Sequence, residues 1–223
     1  MSNRIPASIE EYYHVYNRGV DKREIFLNDH DYQRFSLLMY LCNGNKPVNI
    51  ANELQKGRTF FELWDMDKGD PLVAIGAYVL MPNHFHILVT PISENGLSIF
   101  MKKLSTGYSM YFNKKNDRTG SLFEGRYKSK HVDTDVYLNY LLAYIHLNPV
   151  KLIDSHWKEN GISDRQAAES FLDSYNYSSY LDYLGESRVA SKICSPELFP
   201  QYFESKDCFR QFINSWLEFD QQP

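Results

Sequence analysis

Cysteine is scarce in this 223-residue chain: Cys42, Cys194 and Cys208 are odd in number and far apart. That argues against a disulfide scaffold and fits a reducing cytoplasm. No apolar run approaches the twenty or so residues a membrane helix needs, so no transmembrane segment is expected. Met1-Ser2-Asn3-Arg4 lacks the apolar stretch of a secretory leader, so none is expected there either. Internal repeats and low-complexity tracts are also missing. An excess of positive charge is lacking too: the net charge is −4, which taken whole speaks against a nucleic-acid binder.

What is present changes that reading. Between Lys102 and His131 lie eight basic residues, Lys102, Lys103, Lys114, Lys115, Arg118, Arg126, Lys128 and Lys130, against only Asp117 and Glu124. Segregated charge creates a directed field and signals a polyanionic partner, although a solvated helix face accounts for it equally well. Aromatic residues are plentiful, with 17 Tyr, 14 Phe and 3 Trp. Tyrosine can pack, stack on bases or act as a nucleophile, and composition does not choose among these. The length is ample for a hydrophobic core that folds without a metal.

The pattern divides the chain into a core over residues 1–150, an insertion at about 43–70, and a C-terminal extension over 151–223 packed on the core. Tyr12 to Tyr16 reads as a strand, ended by a turn at Asn17-Arg18-Gly19. Asn28 is a helix cap, before helical spacing of Tyr32, Phe35, Leu38, Met39 and Cys42. The insertion carries a short helix near Ile50 to Gln55. Leu72 to Leu80 is a nearly continuous apolar run, as in a central strand covered on both faces. Met81-Pro82-Asn83 turns it into a second strand, His84 to Thr90. Leu97 to Phe112 is helical, Asn113 to Gly120 a basic loop, and Tyr127 to Val132 a strand. Asp133 caps a last helix that ends before Pro149. The order β-α-β-β-α-β-α predicts an α+β fold, a ferredoxin-like antiparallel sheet with helices on one face, plus the helical extension.

Two features could carry chemistry. His84 and His86 are two apart on a strand, so they share a face, and two imidazoles so placed can bind one metal ion. Tyr144 and Asn148 are four apart on a helix and also share a face. An Asn148 oxygen can complete a site begun by His84 and His86, with the Tyr144 oxygen beside the metal. Each has an ordinary reading: polar residues on a wet strand face, and core tyrosines on a helix that also carries Tyr137 and Tyr140. Together they suit phosphoryl chemistry, in which the metal polarises phosphorus and tyrosinate attacks it. Arg18, Lys102, Lys103, Arg126, Lys128 and Lys130 are the candidate DNA contacts. His14, His131 and His146 are expected mainly as structural residues.

These residues resemble a known group. Met81 to Val89 (M-P-N-H-F-H-I-L-V) is similar to the metal motif of the single-tyrosine HUH transposases. Tyr144 to Val150 (Y-I-H-L-N-P-V) is similar to their nucleophile helix. Tyr13 to Gly19 and Phe123 to Ser129 resemble two further blocks, and Tyr175 to Tyr180 resembles a block found after the core in REP-associated tyrosine transposases. The resemblance implies the HUH fold and Mg²⁺ or Mn²⁺ on His84, His86 and Asn148. It implies cleavage of hairpin-bearing single-stranded DNA by Tyr144, giving a 5′-phosphotyrosine and a free 3′-hydroxyl. It leaves a monomer or a homodimer open, and transposition or domesticated processing of repeats. The implied location is cytoplasmic, nucleoid-associated on DNA, with no membrane. Two other functions compete: a nucleic-acid-binding module without catalysis, and a metal-dependent hydrolase that uses activated water.

Overall fold

Phe85 and Ile87 are fully buried on one side of a strand whose other side carries His84 and His86, and this two-sidedness organises the molecule. A computed structural model describes residues 7–218. In chain order its elements are β1 (Tyr12–Arg18), α1 (Asp29–Cys42), α2 (Ile50–Gln55), β2 (Val73–Met81), β3 (His84–Pro91), α3 (Gly96–Lys115), β4 (Lys128–Val132) and α4 (Asp135–Leu147). The extension adds α5 (Trp157–Asn160), α6 (Arg165–Ser174), α7 (Tyr180–Tyr183) and α8 (Lys206–Glu218). The sheet order is β2-β3-β1-β4 and every pairing is antiparallel, as a ferredoxin-like α+β fold requires.

The helices α1 and α3 form the layer on one face, where Phe35, Leu104 and Tyr108 pack with Val15, Phe85 and Ile87. The last helix before the extension, α4, crosses to the other face, where Leu138, Leu141 and Ile145 meet Ala77, Leu88 and Val132. Cover on both sides is needed because all nine residues of β2 are buried.

That burial does not make β2 central, contrary to the sequence expectation. It is an edge strand, and the C-terminal extension closes its edge. The Leu80 N–H donates to the Tyr177 carbonyl at 2.8 Å, and the Ser179 N–H to that of Tyr78 at 3.0 Å. Tyr78 N–H donates to Ser179 Oγ at 2.9 Å, and Ser195 N–H to the Ile75 carbonyl at 2.9 Å. An open edge would be a template for unwanted pairing, and these bonds remove it. Arg188 fastens the cover, donating to Asp182, Tyr78 and the carbonyls of Asn176 and Ser178. Gly76 lies in β2 where a Cβ would meet the Phe199 ring at 2.8 Å, so the extension packs against bare backbone.

Smaller differences have local causes. The strand β1 runs through Asn17 and Arg18, where a turn was expected, because those residues pair with Phe85 and His84. The helix α3 continues to Lys115 into the expected loop. Thr134, not Asp133, caps α4, its hydroxyl accepting from the Tyr137 N–H at 3.2 Å. Asn28 is the N-cap position of α1, although its side chain makes no cap bond. The short helix in the insertion spans Ile50–Gln55. None of the three cysteines is in a disulfide. Among the described residues no helix is long and apolar enough to cross a membrane.

Candidate active site

Four separate sequence blocks converge at one end of the sheet. Register does most of this, because directly opposed residues share a face. Arg18 lies opposite His84, and Tyr16 opposite His86. On the other flank of β1, Tyr16 pairs with Lys128 and His14 with Lys130. The hairpin tip is tied to the end of β1 by Gly19 N–H donating to the Asn83 carbonyl at 2.9 Å. The loop bearing Gly125 and Arg126 is tied there too, through Asn17 Nδ2 to the Gly125 carbonyl at 3.1 Å. Gly19 has to be glycine, since a Cβ would lie 2.3 Å from the Arg23 carbonyl.

Over this polar end of the face sits the C-terminal half of α4. Tyr144 is half-buried, and its hydroxyl faces His86 Nε2 at 3.5 Å. The rings of His86 and Tyr144 meet edge-on with centroids 5.2 Å apart. Pro149 ends the α-helix at Leu147 by removing an amide donor, and a single 3-10 turn, Asn148–Leu152, follows. Asn148 is thereby held inward, 1% exposed, one turn beyond Tyr144.

Hydrogen bonds hold both imidazoles at their Nδ1 atoms. His84 Nδ1 donates to Asn83 Oδ1 at 2.5 Å, which leaves Nε2 as the basic nitrogen. His86 Nδ1 bonds to His14 Nε2 at 2.8 Å, and both rings are buried. Burial lowers the pKa of His14 to about 4, with Lys130 adding to the effect. Burial likewise lowers His84 to about 4, assisted by Arg18 and opposed by Asn148. Both rings are therefore neutral near pH 7. Tyr144 is pushed above the ordinary phenol value by burial, while Asn148 and the charge of Arg18 pull it down.

Asn148 is the least satisfied group of the cluster. It acts on His84 and Tyr144, yet neither Oδ1 nor Nδ2 makes a hydrogen bond of good geometry. Buried amides left this way are rare and mark a place for a further ligand. Among the described residues no three His, Cys, Asp or Glu side chains cluster as a ligand set, and the Asn148 amide is an oxygen donor beside the two imidazoles. Two imidazoles ordered by second partners and one orphaned amide oxygen fit a divalent cation that keeps several waters.

The other expected residues divide. Arg18, Arg126, Lys128 and Lys130 are exposed, and the structure brings Arg18, Lys128 and Lys130 to this face. Lys102 and Lys103 are not brought to it, because α3 packs on the opposite face. Lys103 instead donates to the carbonyls of Gly44 and Lys46, anchoring the insertion. His131 pairs with Glu11 at 2.6 Å. His146 is fully buried and bonds to Ser179 at 2.8 Å, joining α4 to the extension. His14 and Tyr16 are the residues sequence reasoning underrated. Their signal was the alternation of His14, Tyr16 and Arg18 on one strand face, but only pairing with β3 gives it meaning.

Residues 63–148 match the family model described as "Transposase IS200 like", which is less than half of the chain. No curated protein matches. Among solved structures, a REP-associated tyrosine transposase bound to a REP hairpin aligns over 85% of this chain and 90% of its own, at 12% identity and a TM-score of 0.49. Over the stretch that holds His84, His86, Tyr144 and Asn148, the chain carries the sequence pattern of the IS200-like transposases, as its motifs led one to expect.

Proposed function

We propose that this protein is a metal-dependent strand-transfer enzyme, which cleaves single-stranded DNA beside a hairpin through a 5′-phosphotyrosine on Tyr144. The observation that carries the reading is the Tyr144 hydroxyl, 3.5 Å from an imidazole nitrogen of the His-x-His pair and one turn from the orphaned Asn148 amide. His84, His86 and Asn148 would hold Mg²⁺ or Mn²⁺. When bound, such a cation supplies positive charge that favours the phenolate and polarises the scissile phosphate.

The chain's own residues account for the rest. Tyr144 Oη forms the bond to phosphorus and loses its proton, while the bond to the 3′-oxygen breaks and leaves a 3′-hydroxyl. Arg18 and Asn148 favour the deprotonated phenol, and burial opposes it. His14 holds the His86 ring through Nδ1. The phosphotyrosine keeps the energy of the broken phosphodiester, so a second 3′-hydroxyl can displace Tyr144 and rejoin DNA without ATP. Lys128, Lys130 and Arg18 would hold the flanking phosphates.

Replacing Tyr144 with Phe removes only the oxygen. Tyr144→Phe is expected to abolish cleavage of hairpin-bearing strands while DNA affinity persists. Normal cleavage by Tyr144→Phe, together with its loss in His84→Ala, would instead establish a hydrolase. Unchanged DNA binding, with no cleavage by either protein in Mn²⁺, would leave a binding module.

A further inference from the structure

Three half-buried tyrosines climb one flank of α4 toward the site. The rings of Tyr144 and Tyr140 are 5.9 Å apart and inclined by 29°, and those of Tyr140 and Tyr137 are 6.3 Å apart and inclined by 20°. Trp216 from α8 meets Tyr140 edge-on at 5.7 Å. Beside them runs β4, which among the described residues is an edge strand of the sheet. Lys130 Nζ lies 4.3 Å from the centre of the Tyr137 ring, and Lys128 Nζ lies 5.9 Å from that of Tyr16, which in turn touches His86.

These rings differ from the tyrosines that hold the fold together. Tyr78, Tyr108 and Tyr180 are fully buried. The hydroxyls of Tyr108, Tyr175 and Tyr183 donate to backbone carbonyls. Tyr137 and Tyr140 are only half-buried, and among the described residues their hydroxyls make no hydrogen bond. The two lysines also lack the carboxylate partners that several other cations have. Lys46, Lys115, Lys192 and Arg188 are paired with carboxylates, whereas among the described residues Lys128 and Lys130 form no ion pair. Asp135 at the start of α4 accepts from Tyr202 and, with exposed Asp133, sets a negative limit beyond Tyr137.

We infer that Tyr137, Tyr140 and Trp216, with Lys128 and Lys130, form a track for the unpaired nucleotides that lead to Tyr144, the rings stacking on bases and the ammonium groups holding phosphates. The inference deepens the proposed function and rests on single-stranded DNA being the substrate. Aromatic steps beside unpaired cations are the general solution for binding a single strand with little regard to sequence. The track also gives the C-terminal extension a part in the reaction, since α8 supplies Trp216.

The test uses fluorescein-labelled oligothymidylate and an abasic strand of equal length, titrated by anisotropy with a chelator present. Both strands carry the same phosphates, so their difference isolates stacking. The full chain is expected to prefer oligothymidylate by about tenfold or more. The double variant Tyr137→Ala, Tyr140→Ala should lose most of that preference, and Tyr137→Phe, Tyr140→Phe should keep it. Lys130→Ala should weaken both strands equally. Equal binding of the two strands by the unaltered protein would overturn the track, and that measurement needs no variant to fold. So would an Ala variant that keeps the preference, or a Phe variant that loses it. Preference without any Tyr144 adduct would preserve the track and refute strand transfer. An adduct without preference would refute the track alone.

Discussion

His14 makes one directional contact in the candidate site, and removing it should have a measurable consequence for metal binding. His14 Nε2 and His86 Nδ1 are 2.8 Å apart, with the two side chains 8% and 7% exposed. If His86 offers Nε2 to a cation, its Nδ1 carries the proton and donates to His14. That acceptor is available because burial holds His14 neutral, with a pKa of about 4. His14→Phe keeps a ring of similar shape but removes the acceptor. The stranded Nδ1–H would cost about 1–3 kcal/mol in the tautomer that binds metal. Partners of this kind typically change metal affinity by about 10–100-fold. Mn²⁺ titration by calorimetry near neutral pH should therefore show His14→Phe weaker by that factor. His14→Gln, which returns an acceptor oxygen, should recover part of it. Circular dichroism would check that each variant is folded. Equal Mn²⁺ affinity in folded His14→Phe and the unaltered protein would refute this account of how His86 is held.

Other outcomes follow from the same structure. Arg188 and Asp182 have side chains only 16% and 9% exposed, so Arg188→Ala strands a buried carboxylate and should lower stability by about 3–5 kcal/mol in urea unfolding. An Arg188→Ala protein as stable as the original would contradict the closure of the β2 edge by the extension. Acid should destabilise the metal-free protein, because burial lowers His14 and His84 to about 4 and His146 to about 3. Below the unfolded pKa of about 6.5 the unfolded chain binds more protons, so stability is complete above that pH and falls by about 1.4 kcal/mol per pH unit for each histidine as pH drops toward 4. A flat unfolding midpoint between pH 7 and pH 4 would refute that burial. Lys128→Ala with Lys130→Ala should reduce the salt slope of single-strand binding by about 1.4, as loss of two phosphate contacts requires. An unchanged slope would remove both lysines from the interface.

Local pattern disclosed some of this and pairing geometry the rest. Alternation across His84, Phe85 and His86 was enough to put the two imidazoles on one face and Phe85 in the opposite layer. Spacing put Tyr144 and Asn148 on one side of a helix that Pro149 had to end. Neither signal could bring the strand and the helix together, and resemblance to a family with this motif order supplied that expectation. The apolar run of β2 read as central because burial on two faces looks alike whether neighbours are strands or a borrowed segment. Residues 176–179 lie about a hundred positions away, beyond the reach of any local pattern. Lys102 and Lys103 entered the candidate list through charge density along the chain. Only the packing of α3 under the sheet separates them from Lys128 and Lys130, which share that basic stretch.

The central claim is the covalent one, that the Tyr144 oxygen takes the phosphate. Incubation with Mn²⁺ and a labelled hairpin-bearing single strand from the flanks of its own gene, followed by denaturation and peptide mass spectrometry, tests it directly. The account predicts DNA attached to the peptide containing Tyr144, released as a rejoined strand when a second 3′-hydroxyl is supplied. Cleaved DNA with no protein adduct, or an adduct on Tyr137 or Tyr140 instead, would contradict it.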